Sequence, residues 1–342
     1  MKHKRLTVGI LTLVICIILN LCFGHLPRFY EVFYLNGLFQ LIRIVHDYTL
    51  GLLPIPSLYI IVPLFFTFFY YRRVDNLKGF IISTLTAFIW IINFFYFLWG
   101  FNYTQKSIYQ TLDLTPVKLD STYIKTTFDN QTAIIVGLAE ANKNVKALNT
   151  TELENHLRDI QERIIGEWGT PTVGRVRIRK VPSGSLLRIR TSGVYIPHAF
   201  EGHIDKGLYY KQHPFTMAHE MAHGYGYTDE SVCNFIGYLT CIESKNSLTQ
   251  YSGELAYWRY LLRYYRYYYP DEWKSLYASL SPALKIDLEE IRSHINKYED
   301  LMPKMRDVIY DNYLKSHGVK SGIKSYDEMI QLIAAWRESQ KG

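Results

Sequence analysis

The chain has 342 residues, enough for more than one domain, and a net charge of +7 spread without any long basic run. That distribution argues against a nucleic-acid partner. Four cysteines, Cys16, Cys22, Cys233 and Cys241, show neither zinc-knuckle spacing nor a disulfide framework.

Aromatic residues make up 15% of the chain, and apolar residues are concentrated towards the N-terminus. Met1–Arg5 is basic, and Leu6–Phe23 is an uncharged run long enough to cross a bilayer. No small-residue cleavage site follows it, so residues 6–23 are expected to remain as a transmembrane helix rather than leave as a signal peptide. In Pro27–Pro56, Tyr30, Phe33, Tyr34, Leu38, Ile42 and Val45 alternate with Arg43, His46 and Asp47. That mixture fits an amphipathic helix at the membrane surface or a small extracytoplasmic hairpin. Residues 55–71 and 79–101 read as a second and a third span, the last ending in the interface aromatics Phe95, Tyr96, Trp99, Phe101 and Tyr103.

Lys2, Lys4 and Arg5 precede the first span, and Arg72, Arg73 and Lys78 fill the loop between the second and third. The positive-inside rule makes both segments cytoplasmic. Three crossings then place the chain after Tyr103 outside, dividing it into a membrane region, 1–103, and an extracytoplasmic domain, 104–342.

From Thr104 the composition turns soluble. Phe128–Leu148 and Thr151–Trp168 have helical periodicity, the second with Thr151 and Glu154 placed as a capping box. Val173–Val181 alternates apolar and basic residues as a half-buried strand does, and β character continues through Ser185–Ile196. Arg175, Arg177, Arg179, Arg188 and Arg190 are expected on the solvated outer face of that sheet. Pro197–Pro214 reads as a lead into the next helix, and its His198, His203 and His213 as hydrogen-bonding or substrate-contact residues. Further helices are expected over Gly253–Tyr269, with Arg259, Arg263 and Arg266 facing solvent, and over Leu284–Tyr298, Leu301–Ser316 and Tyr326–Ser339.

The chemistry centres on His219-Glu220-Met221-Ala222-His223, an HExxH motif. Residues four apart share a helix face, so the two imidazoles can grip one metal ion, zinc by default, while Glu220 stays available as a base. Gly224 and Gly226 should stop that helix, and Thr228 reads as the N-cap of a second one. The third ligand is Glu230 in one register, with Asn234 one turn later orienting a liganding His from behind. In the other register, HExxHxxGxxD, it is Asp229. The absence of a convincing Met-containing turn downstream favours Glu230. Tyr251, His294, His317 and Tyr326 are chemically able to stabilise an oxyanion.

Trp99–Tyr103 (WGFNY), Gly193–Asp205, Pro214–Phe235 and Tyr310–Ile330 together resemble a bacterial family of membrane-anchored proteins with a zinc-metallopeptidase site, catalogued as a domain of unknown function. The resemblance implies a gluzincin-type centre with His219, His223 and Glu230 as ligands and Glu220 as base. Ser231-Val232-Cys233 stands where that family has acidic and Ala residues, a departure behind the ligand rather than in it.

The fold class expected is α+β: three transmembrane helices, then a mainly helical zincin-like domain with a small sheet. The expected function is zinc-dependent hydrolysis of peptide bonds outside the cytoplasm, by a multi-pass protein of the bacterial cytoplasmic membrane. Its partners are a peptide or protein substrate and the lipid bilayer, and the substrate backbone is expected to add to an edge at Gly193, Val194, Tyr195 and Ile196. The alternatives are an inactive metal-containing sensor module and a zinc amide hydrolase acting on cell-wall material.

Overall fold

The computed structural model describes residues 2–71, 76–303 and 328–341. A small mixed sheet of β1 (Arg177–Val181), β2 (Gly193–Ile196) and β3 (Glu201–Asp205) lies among the helices in the order β1-β3-β2. β1 runs parallel to β3, with Arg177 opposite Glu201 and Arg179 opposite His203. β2 runs antiparallel to β3, with Tyr195 opposite Gly202, and forms one edge of the sheet. The alternation over 173–181 did mark a strand. The central strand β3 falls where the sequence suggested only a lead into the metal helix, because its His and acidic residues hide the usual apolar signal.

The N-terminal region contains α1 (Lys2–His25), α2 (Phe39–Asp47), α3 (Leu58–Tyr70) and α4 (Leu77–Leu98). Two of these helices, over Lys4–His25 and Leu77–Leu98, are long and apolar enough to cross a membrane. The expected middle span is corrected. α3 has 13 residues, which at 1.5 Å per residue reach only ~20 Å of a hydrocarbon core of about 30 Å. Pro54 and Pro56 stand before it and exclude an earlier start. α1 and α4 lie parallel: the Asn93 amide donates to the Gly9 carbonyl at 2.9 Å, and the Phe23 and Phe101 rings sit 5.2 Å apart further along. α3 packs beside α4, with the Tyr70 hydroxyl and the Thr84 hydroxyl 2.9 Å apart.

Residues 27–57 pack one face against the rest of the chain. Tyr30, Tyr34, Phe39, Arg43 and Asp47 turn inwards and are buried, while Phe33, Leu41, Val45, Tyr48 and Leu52 face out. The inner face joins Phe23, Trp99, Phe101, Tyr195 and Phe200 in one apolar cluster, which bridges the division expected near residue 103. Arg43 is almost fully buried, lies 3.8 Å from Asp47, and stacks 4.8 Å from the Tyr225 ring centre.

Arg177 and Arg179 are corrected as well, whereas Arg188 and Arg190 are exposed as expected. Arg179 is buried, donating to Glu201 at 2.9 Å and to the carbonyls of Gly51 and Leu53. Arg177 donates to Glu154 at 2.8 Å and to the Gly51 carbonyl at 2.7 Å. Glu201 also accepts from the Ser57 amide at 2.8 Å, and Asp47 from the Arg175 amide at 2.7 Å. These charges dock residues 47–57 onto the sheet instead of meeting water.

The main core gathers α5 (Ser121–Ala141), α6 (Thr150–Glu167), α7 (His213–Gly224), α8 (Glu230–Ile242), α9 (Ser247–Tyr268), α10 (Pro282–Asn296) and α11 (Glu328–Ser339) around the site. α6 is capped by Asn149, two positions earlier than Thr151, and Glu154 pairs with Arg158 and Arg177 rather than closing a capping box. The aromatic stripe of α9 is core: Phe128 stacks on Trp258 at 5.5 Å and on Tyr265 at 4.3 Å. The expected helix over 301–316 and turn over 318–325 fall almost wholly outside the described residues.

Candidate metal centre

α7 begins with Pro214 in its first turn, where a missing N–H costs nothing, and buries Met217, Ala218, Met221 and Ala222 in the core. Its end is fixed twice. Gly226 turns the chain at φ +98°, a region that disfavours a Cβ, and the Trp99 indole N–H donates to the His223 carbonyl at 2.8 Å. The exit from α4 is therefore braced against the metal-site helix.

α8 opens at Asp229, whose carboxylate accepts the amides of Ser231 at 2.8 Å and Val232 at 3.2 Å. Asp229, not Thr228, is the N-cap. This capping spends the Asp229 carboxylate and leaves Glu230 as the first helical residue, turned towards α7.

One carboxylate oxygen of Glu230 lies 3.2 Å from His219 Nε2 and 3.6 Å from His223 Nε2. The three ligand atoms fall within 4.8 Å of one another, and all three residues are buried. Two imidazoles and a carboxylate are a donor set that would suit zinc. Burial alone would raise the Glu230 carboxyl, but His223 and His219 hold it well below the usual carboxylate range. His223 Nδ1 lies 2.8 Å from the Tyr227 carbonyl, which can only accept, so Nδ1 carries the proton and Nε2 is free as a ligand. His219 Nδ1 is buried without a hydrogen-bond partner among the described residues. The residues fit a single ion held through both Nε2 atoms.

Glu220 is 4% exposed. Burial pushes its carboxyl up to about 7, against the lowering pull of His219 and His223 and a hydrogen bond from the Tyr195 amide. It lies hard against β2: a Cβ on Gly193 would stand 2.5 Å from Glu220 Oε1. A cleft of about 660 Å³ opens here, with Gly193, His219 and Glu220 on one wall and Leu255, Arg259 and Tyr260 of α9 on the other. A cavity of about 720 Å³ between Tyr30, Tyr109, Trp168 and the Asp229 end of α8 does not reach His219 or Glu220.

The structure thus brings together His219, Glu220, His223, Glu230 and the β2 stretch Gly193, Val194, Tyr195 and Ile196. Asn234 also lines the cleft, together with Tyr260. The orienting partner of His223 is the Tyr227 carbonyl instead, with Cys233 Sγ 3.3 Å away. Tyr251 donates to buried Asp287, and His294 donates to the Gly207 carbonyl. Neither lines the cleft, while His317 and Tyr326 lie outside the described residues. His198 and His213 bond backbone carbonyls, as expected of non-ligands, and His203 is buried on β3. Sequence reasoning missed Trp99, Tyr227, Arg259 and Tyr260. Only the 3–4 spacing of Ser252, Leu255, Ala256, Arg259 and Leu262 hinted that α9 faces the site.

No curated protein and no solved structure matches this chain. A family model matches residues 34–334, which include the docked segment, Trp99–Tyr103, the sheet and the site helices; its description carries no activity, metal or substrate. By that match the chain belongs to the family described as Protein of unknown function (DUF3810).

Proposed function

We propose that this protein is a membrane-anchored, zinc-dependent metallopeptidase. The observation that carries the reading is the convergence of His219, His223 and Glu230 within 4.8 Å, beside a buried carboxylate that is not a ligand. Zinc at that place supplies Lewis acidity towards water and a scissile carbonyl. Glu220 takes the proton of the attacking water and returns it to the leaving amine. β2 is an edge strand, and its backbone at Gly193–Ile196 can align an extended peptide along the cleft. The Tyr260 hydroxyl and the Asn234 amide are donors on the same cleft for charge developing on the carbonyl oxygen.

The reading extends to orientation. Lys4 and Arg5 stand at one end of α1, and the cluster of Phe23 with Trp99 and Phe101 stands at the other, on the side of the metal centre. Basic residues favour the cytoplasmic side, so the metal centre belongs outside the cytoplasm. A reporter fused after Gly342 should then be active only outside, and activity only inside would reverse the orientation.

The direct test uses the full chain in detergent, with metal content by mass spectrometry and cleavage of a mixed peptide library. About one zinc per chain with Glu220-dependent cleavage is the expected result. Zinc without cleavage would favour a sensor module, and cleavage of cell-wall amides alone would favour the amide hydrolase.

A further inference from the structure

α9 turns a stripe of side chains into the cleft: Ser252, Leu255, Ala256, Arg259, Leu262 and Arg263. Three arginines line this cleft against one acidic group, Glu220. Two of the three are engaged. Arg190 lies 3.6 Å from Asp300 and donates to the Ile295 carbonyl at 3.0 Å, and Arg263 lies 4.6 Å from the Tyr260 ring centre. Arg259 has neither a hydrogen bond nor an ion pair among the described residues, although it is half-buried in the wall facing His219 and Glu220. Burial lowers its guanidinium pKa, against an opposing pull from Tyr260 and with a smaller contribution from the neighbouring Arg263.

An unpaired, partly desolvated guanidinium is costly, and a carboxylate meeting its planar fork recovers that cost through two parallel charge-assisted bonds. Phe215, Leu255, Leu262 and Leu288 add apolar surface beside neutral hydrogen-bonding groups such as Thr216, Ser252 and Asn234, so the cleft suits a flat anion on an otherwise peptide-like body. We propose that Arg259 anchors a carboxylate-binding subsite, and that the substrate is a peptide with a carboxylate close to the bond cut. The carboxylate belongs to an acidic side chain or to a free C-terminus. This inference rests on the metallopeptidase reading for the reaction, but not for the binding.

The test uses the full zinc-loaded chain in detergent and matched quenched-fluorescent peptide sets. One pair exchanges Asp/Glu for Asn/Gln near the centre, and a second exchanges a free C-terminus for an amide. A preference of at least about tenfold for the acid member of one pair is expected, and which pair shows it identifies the carboxylate. In Arg259→Gln the acid-to-amide ratio should collapse towards one with zinc content retained. Arg259→Lys, which keeps charge without the fork, should fall between. The same pairs are titrated calorimetrically against zinc-loaded Glu220→Gln. If the wild type cleaves nothing, the hydrolytic reading fails while the binding ratio still decides the subsite. Equal cleavage or binding of acid and amide peptides, no binding of either, or a preference that survives Arg259→Gln overturns it.

Discussion

On one face of the sheet Ile178, Gly202 and Ile204 meet α7, and the Glu220 side chain lies against the backbone of Gly193 and Gly202. On the other face Arg177, Arg179 and Glu201 meet the chain between Asp47 and Ser57. The first face keeps charge scarce and lets the Glu220 carboxylate approach bare backbone. The second buries several charges but pairs them closely, across the seam between the metal-site domain and the segment that follows α1. Buried ion pairs add little net stability compared with apolar packing, yet breaking one is expensive. The charged face therefore acts as a joint of defined geometry, and the apolar face as the bed of the site.

The largest effect expected is on the charged face. Glu201→Ala leaves Arg179 buried without its carboxylate and removes the acceptor of the Ser57 amide, at a cost of about 3–5 kcal/mol. Denaturant unfolding of the full chain measures it, and a loss below about 1 kcal/mol would mean that the seam is not a fixed joint. On the site face, Glu220→Gln should keep zinc and lose hydrolysis by about a hundredfold or more, roughly 2.7 kcal/mol of transition-state stabilisation. Glu230→Ala and His219→Ala should lose zinc together with activity, as metal analysis will show. Gly193→Val brings a side chain into the space of Glu220 and should cost on the order of tenfold in turnover through misplacement of the base. Full activity in that variant would show that the close approach is dispensable. The smallest effect belongs to Asp229→Ala, which removes the cap of α8 for about 1 kcal/mol. Zinc should stay, and an empty site would return the ligand role to Asp229.

The metal helix was legible because its information is local. His219, Glu220 and His223 are set by one helical repeat, and the Gly226 turn with a helix starting at Glu230 needs only short-range rules. Helix type was legible for the same reason: the 3.6-residue pattern of α6, α9 and α10 lies within each segment. Two local readings failed on detail. The cap fell to Asp229 rather than Thr228, and α3 stopped at 13 residues because prolines precede it.

What the sequence by itself determined is the one-turn spacing of His219 and His223 with Glu220 between them, the helical character and the apolar α1 and α4, all of which follow from spacing along the chain. Tertiary structure alone decided whether a polar residue meets water or a partner distant in sequence. Arg179 reads as the solvent face of a strand until Glu201 and the carbonyls of Gly51 and Leu53 are brought to it. Arg259 reads as the outer side of a helix until α9 closes over the cleft. Periodicity shows which residues share a face, but not what covers that face. The energy of a buried charge depends on that cover, which only the fold supplies.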